Sequence, residues 1–186
     1  LLGQHIERVS AYVTARERNS GVEDVASCRF EAADSVAIVN VGWGVGPGGI
    51  EISGRTGRLA IRYEGGGTSP FAPFEELILV DELGSRAFDV PPSDSFLELA
   101  IVEFAESVAA GRPPIAPGEQ GLHILEATVA AYESAATGRT IAVPLDRADP
   151  VFQRGVGGLA ELDIPAWSPV RSKGIFGVVA SASEVA

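Results

Sequence analysis

Methionine is absent from this 186-residue chain, and cysteine, histidine and tryptophan are scarce, at 1, 2 and 2 residues. A single cysteine, Cys28, excludes an internal disulfide, and at a strand position it reads as a small buried apolar residue. Two histidines leave no ligand cluster for zinc, so no residue is assigned to a metal. Positive charge is also in short supply, with 14 basic residues against 25 acidic ones and a formal net charge of −11. Such a surface repels a phosphate backbone, and no basic stripe offsets it, which argues against a nucleic-acid partner. No apolar run approaches the ~20 residues that a membrane helix needs, and no signal-peptide pattern opens the chain. The expectation is a cytoplasmic protein with no membrane partner. At 186 residues one domain with one core is the natural count.

What is present is pattern. Val9, Ala11, Val13 and Ala15 alternate with Arg8, Ser10, Tyr12, Thr14 and Arg16, the spacing of a half-buried strand. Similar alternation predicts strands near 6–17, 23–32, 35–43, 49–54, 58–64, 76–83 and 85–90. Turn chemistry separates them at Asn19-Ser20-Gly21, Ala33-Asp34 and Gly65-Gly66-Gly67. Connections this short make hairpins, so the sheet should be mostly antiparallel.

Ser95 followed by Glu98 has capping-box spacing and predicts a helix starting near Phe96. Its apolar positions Leu97, Ile101, Phe104 and Val108 recur every three or four residues, and Gly111 ahead of Pro113 supplies the stop. In a second helix Leu122, Leu125, Val129, Tyr132 and Ala136 form the stripe, with Gly138 at the C-terminal position. Thr140-Ile141-Ala142-Val143 reads as a strand that Pro144 ends. The fold class expected is α+β, a mostly antiparallel open sheet with two amphipathic helices packed on one face. Residues 1–145 should form this domain. From Asp146 onward Gly155-Val156-Gly157-Gly158, Pro165 and Pro169 interrupt any periodicity, so residues 146–186 are expected to be an irregular tail or arm.

Two glycine-rich segments invite a nucleotide-binding reading and fail it. Gly44-Val45-Gly46-Pro47-Gly48-Gly49 satisfies G-x-G-x-x-G after a strand, but that motif needs a following helix whose N-terminal N–H groups meet a pyrophosphate. Ile50-Glu51-Ile52-Ser53-Gly54 is instead alternating and β-branched. Gly65-Gly66-Gly67-Thr68 lacks the lysine of a phosphate-binding loop.

The run FAESVAAGRPPIAPGEQGLHILEATVAAYESAATGRTIAVPL resembles the end of the C-terminal domain in the Gfo/Idh/MocA family of NAD(P)-dependent oxidoreductases. The resemblance extends upstream through Leu1-Leu2-Gly3 to Val9-Ser10-Ala11, Val22-Glu23-Asp24, the Val36–Trp43 strand and the Ile52-Ser53-Gly54-Arg55-Thr56-Gly57 turn, covering roughly residues 1 to 145. It implies that the chain is the substrate-binding and oligomerisation part of such an enzyme, truncated at its N-terminus. The Rossmann domain that binds NAD or NADP, the Lys-Pro element and the Asp-x-x-x-His helix would all precede Leu1. Catalytic and cofactor-binding residues are therefore assigned to no position here, and His5 is not promoted to the role of the catalytic histidine. This chain alone should bind no cofactor and should be inactive.

The resemblance implies, for the intact protein, hydride transfer between the cofactor and a sugar, polyol or related hydroxy or carbonyl compound. Substrate-contact candidates are Trp43, whose strand in similar proteins runs toward the cleft between domains, Arg55 and Arg58 flanking the next turn, and His123 near the start of the second helix. Each has a plainer reading, as a sheet-core tryptophan, solvated turn arginines and a helix-boundary histidine. The partners expected are a small-molecule substrate and a second copy of the chain on the open sheet face. The alternative is a stand-alone, non-catalytic binding or dimerisation module, because the fold itself does not choose.

Overall fold

The computed structural model describes residues 3–15, 23–42, 48–63, 74–89, 96–154, 158–159 and 162–164. Eleven elements lie in these residues. Seven strands come first: β1 (Arg8–Thr14), β2 (Val25–Glu31), β3 (Val36–Gly42), β4 (Gly49–Ser53), β5 (Gly57–Tyr63), β6 (Phe74–Asp81) and β7 (Gly84–Phe88). Helices α1 (Phe96–Ala110) and α2 (Gly118–Thr137), the two-residue strand β8 (Ile141–Ala142) and a short helix α3 (Pro150–Arg154) follow. The class is α+β with open antiparallel sheets, as the alternation predicts. The strands divide between two four-stranded sheets, ordered β3-β2-β1-β8 and β4-β5-β6-β7. The turns at Asn19-Ser20-Gly21 and Gly65-Gly66-Gly67, and the cap residue Ser95, lie outside the described residues.

The chain forms two compact units, one of Leu1–Trp43 with Gly118–Ala186 and one of Gly44–Pro117. In the first, β1 pairs in register with β2 from Arg8↔Glu31 to Thr14↔Val25, and β2 with β3 from Val25↔Gly42 to Glu31↔Val36. The Ala33-Asp34 turn closes with the Ala32 N–H donating to the Ser35 carbonyl at 2.9 Å. Period-two geometry puts Val9, Ala11 and Val13 of β1, and their β2 partners Phe30, Cys28 and Ala26, on one face. Helix α2 covers that face. Val9 and Ala130 are both 0% exposed, and with Ala127, Ala131, Val143 and Leu145 they make the main core cluster. Val13 and Ile164 form a second cluster, with Tyr132, Ala135 and Ala136 packed against it.

The stripe that α2 buries is only partly the expected one: Val129, Tyr132 and Ala136 pack against the core clusters, but the N-terminal leucines do not. Ala127, Ala130, Ala131 and Ser134 are buried, whereas Leu122 and Leu125 are 58% and 59% exposed. Alanine lets a helix backbone approach a strand that already presents valines, so the close face is built from small residues and the leucines are left outside. Gly138, at φ +70°, ends α2 in the left-handed conformation that a C-terminal cap requires, and its N–H donates to the Ser134 carbonyl at 2.8 Å.

In the second unit β4, β5, β6 and β7 form a meander with Leu59 opposite Ile52 on one side and Leu79 on the other. Alternation places Ile50, Ile52, Leu59, Ile61, Leu77 and Leu79 on one face, and Glu51, Arg58, Arg62 and Glu76 on the other. The Gly54 N–H closes the β4–β5 turn on the Gly57 carbonyl at 2.8 Å. Helix α1 runs as predicted and stops at Gly111, φ +63°. Its stripe of Leu97, Ile101, Phe104 and Val108 is exposed, and Ser107 is its one buried side chain among the described residues.

Candidate functional site

On the face of the first sheet away from α2, strand alternation gathers Arg8, Ser10, Tyr12 and Thr14 with Glu31, Arg29 and Ser27, and then Val36, Ile38 and Asn40. Several polar side chains here pair with one another. Ser10 Oγ and Thr140 Oγ1 lie 2.8 Å apart, Ser27 Oγ donates to Asn40 Oδ1 at 2.7 Å, and Glu31 accepts Arg29 at 2.8 Å as well as Arg8. Tyr12 and Ile38 are exposed, Ile38 by 69%. The face is open, polar at its centre and apolar along the outer strand β3.

His123 extends the buried stripe of α2 by one turn and meets the segment that leads into β1. Its Nε2 accepts the Ile6 backbone N–H at 2.8 Å, and its ring stands edge-on to His5, with centroids 4.8 Å apart and an interplanar angle of 78°. The acceptor role fixes the proton on Nδ1 and leaves Nε2 unavailable to a substrate. Further along α2, the Tyr132 hydroxyl donates to Glu23 Oε1 at 2.5 Å. That hydrogen bond, with burial second, holds the phenol's pKa up at about 12. Burial and the nearby Asp149 push the Glu133 carboxyl upward, and its Oε2 has no hydrogen-bond partner among the described residues.

Arg55 and Arg58 belong to the second unit. Both are exposed; Arg58 reaches Glu51 Oε2 at 3.5 Å on the charged face of its sheet. The opposite face carries a shallow groove of about 490 Å³ with Ile52, Leu59 and Leu79 as its floor and Gly54, Thr56, Asp81 and Glu82 at its rim. Asp81 is engaged, accepting the Leu83 N–H at 2.8 Å and pairing with Arg86. Trp43 lies outside the described residues.

Two organising side chains escape sequence reasoning. Ser134 Oγ accepts the Ala11 N–H at 3.0 Å and donates to the Arg139 carbonyl at 2.6 Å, serving a β1 amide just ahead of the start of the two-residue β8. Glu103 accepts Arg112 Nη1 at 2.8 Å, Ser107 Oγ at 2.7 Å and the Ile115 N–H at 3.2 Å. Those bonds, that from Arg112 foremost, lower the Glu103 pKa. The Gly111-Arg112-Pro113-Pro114 run is therefore a loop clipped to its own helix. A lone serine on a helix gives no periodic signal, and Glu103 lies nine residues from its arginine.

Solved structures to which the chain is similar include oxidoreductases and dehydrogenases. An aldose–aldose oxidoreductase from Caulobacter crescentus, solved with glycerol, matches 76% of this chain and 42% of its own at a TM-score of 0.65 and 19% identity. An oxidoreductase from Agrobacterium radiobacter, solved with NAD+, L-tartaric acid and magnesium, matches 74% and 43% at 0.61 and 22%. The WlbA dehydrogenase from Bordetella pertussis, solved with NADH and UDP-GlcNAcA, matches 78% and 42% at 0.57 and 24%. The chain has the fold of part of these enzymes. It spans less than half the length of each. No protein-family model matches the sequence, and a search of curated proteins returns no relative.

The glycine-rich segment leads into strand β4, so no helix N-terminus stands ready for a pyrophosphate, and residues 44–47 lie outside the described set. Among the described residues no group of three or more His, Cys, Asp or Glu side chains could hold a metal ion, and no helix is long and apolar enough to cross a membrane.

Proposed function

We propose that this chain is the sheet-and-helix domain of an oxidoreductase of the Gfo/Idh/MocA family. The observation that supports the reading is a fold shared over about three-quarters of the chain with enzymes of which it makes up only two-fifths. The whole protein would move a hydride between NAD or NADP and the carbon bearing a hydroxyl or carbonyl of a sugar, polyol or related compound. Hydride chemistry belongs to the cofactor, and a protein's part is orientation and proton transfer. The cofactor and the catalytic residues would lie in a Rossmann domain outside these residues, in a cytoplasmic enzyme. This domain would wall the substrate pocket, with Trp43, Arg55 and Arg58 as contacts. His123 keeps only Nδ1–H for such a role, because Nε2 holds Ile6.

The open face of the first sheet is the proposed site of self-association, with Tyr12 and Ile38 at its centre and edge. A stand-alone binding module is the second reading, favoured by a core of Val9, Ala127, Ala130 and Leu145 that closes within one unit. Calorimetric titration of the full-length gene product with NADH and NADPH separates the two. Binding of either supports the oxidoreductase reading; no heat and no protection against unfolding would overturn it in favour of the module.

A further inference from the structure

The segment entering β1 is held in several ways, and all but one are indifferent to pH. The Glu7 N–H donates to the Glu31 carbonyl at 2.7 Å, the Val143 N–H to the Glu7 carbonyl at 2.8 Å, and Ser35 Oγ to Gln4 Oε1 at 2.6 Å. Backbone amides, a hydroxyl and a carboxamide do not ionise near neutral pH. The remaining link is the Ile6 N–H to His123 Nε2. An imidazole nitrogen accepts a hydrogen bond only while it carries no proton, and imidazolium is a donor at both positions.

We propose that His123 is a proton-sensitive latch, its neutral ring holding the Ile6 amide against α2 and its protonation releasing that amide. Geometry adds a second contribution of the same sign. His5 stands edge-on at 4.8 Å, so protonating both rings places like charges side by side on the segment and the helix. The charged and titratable groups on the elements around the latch include Asp146, Arg147 and Asp149, in the segment that packs on α2 through Leu145. The entering segment supplies His5 and Glu7, and α2 itself supplies Glu119 and Glu126, four residues before and three after His123. From β1 comes Arg8, already paired with Glu31. Strand β8, Ile141–Ala142, supplies none. The segment, β1, β8 and α2 all belong to one unit, so the device is complete within it.

The test is backbone amide exchange of the full chain by NMR, each rate taken relative to that of an unstructured peptide at the same pH. Between about pH 8 and about pH 5, the span over which histidines change charge, Ile6 should lose roughly tenfold in protection, the factor for one hydrogen bond. The Glu7 and Val143 amides should keep theirs. His123→Gln supplies an acceptor that cannot be protonated, and Ile6 should then stay protected at both pH values; His5→Ala should leave the pH response in place. Equal Ile6 protection at both pH values in the native chain, or an undiminished pH response in His123→Gln, overturns the proposal. Should His123→Gln not fold, the ring nitrogens of the native protein decide: a proton on Nε2 at about pH 8 overturns the latch, and one on Nδ1 supports it.

Discussion

Ser134 serves two backbone groups with one hydroxyl, taking the Ala11 N–H and giving its proton to the Arg139 carbonyl. Replacing it with alanine strands both groups at a site only 2% exposed. Ser134→Ala should lower unfolding free energy by about 1–3 kcal/mol, the cost of an unmet buried polar group, read from the urea midpoint. Tyr132 makes a different claim. Its phenol is held up at about 12, first by the bond to Glu23, so the neutral ring is preferred in the fold. The stability from this pair is present below the ordinary tyrosine value of 10.0 and is lost as pH rises from there through about 12. Tyr132→Phe should therefore be less stable than the native chain at neutral pH and should lack that alkaline decline, as a thermal-melt series across the window would record. Neither role was legible in the sequence, because a serine and a tyrosine on a helix give only a position on the wheel.

At the scale of elements, existence was easier to read than orientation. All seven strands between residues 6 and 90 lie where alternation puts them; β1 and β4 alternate in burial, whereas β3 and β7 are exposed along nearly their whole length. Both long helices stop one residue before their glycines, Gly111 and Gly138. Large apolar side chains mark the buried face of α2 only in part, with Val129 and Tyr132 packed against the core clusters. Leu122 and Leu125 point elsewhere, and four small residues face the sheet. The two classes should respond in opposite ways. Ala130→Leu forces a larger side chain into a fully buried position and should cost about 1–3 kcal/mol, whereas Leu122→Gln, at an exposed position, should stay within ~0.5 kcal/mol. Comparable losses in urea unfolding would mean that the helix sits in another orientation. Among the candidate contacts, Arg55 lies in the β4–β5 turn and Arg58 at the start of β5. The engagement of His123 by Ile6, 117 residues away, had no local sign.

At the scale of the molecule the two units differ in how much they bury. Among the described residues, every member of the apolar core, from Val9 to Ile164, belongs to the unit of Leu1–Trp43 and Gly118–Ala186. Among the described residues of Gly44–Pro117, Ser107 alone is buried. Local stability follows buried apolar contact, so amides of β5 and β6 should exchange at least tenfold faster than those of β1 and α2. Equal protection of the two sets would show that the second unit is covered in solution. Self-association is a separate question at this scale. If the open face is the contact, Ile38→Asp should reduce the mass measured by light scattering without shifting the melting of β1 and α2; a native chain that is monomeric at all concentrations would remove the basis for it.

Cys28 lies on the α2 side of its sheet, directly opposite Ala11, half-covered and packed against the main cluster. Burial raises its thiol pKa, so little thiolate is present at neutral pH. As the only sulfhydryl in the chain, it is a ready-made gauge: the pace at which a small alkylating reagent marks it, set against that of a free thiol, measures how much cover the strand and helix give it, with no label to introduce and no competing site to subtract.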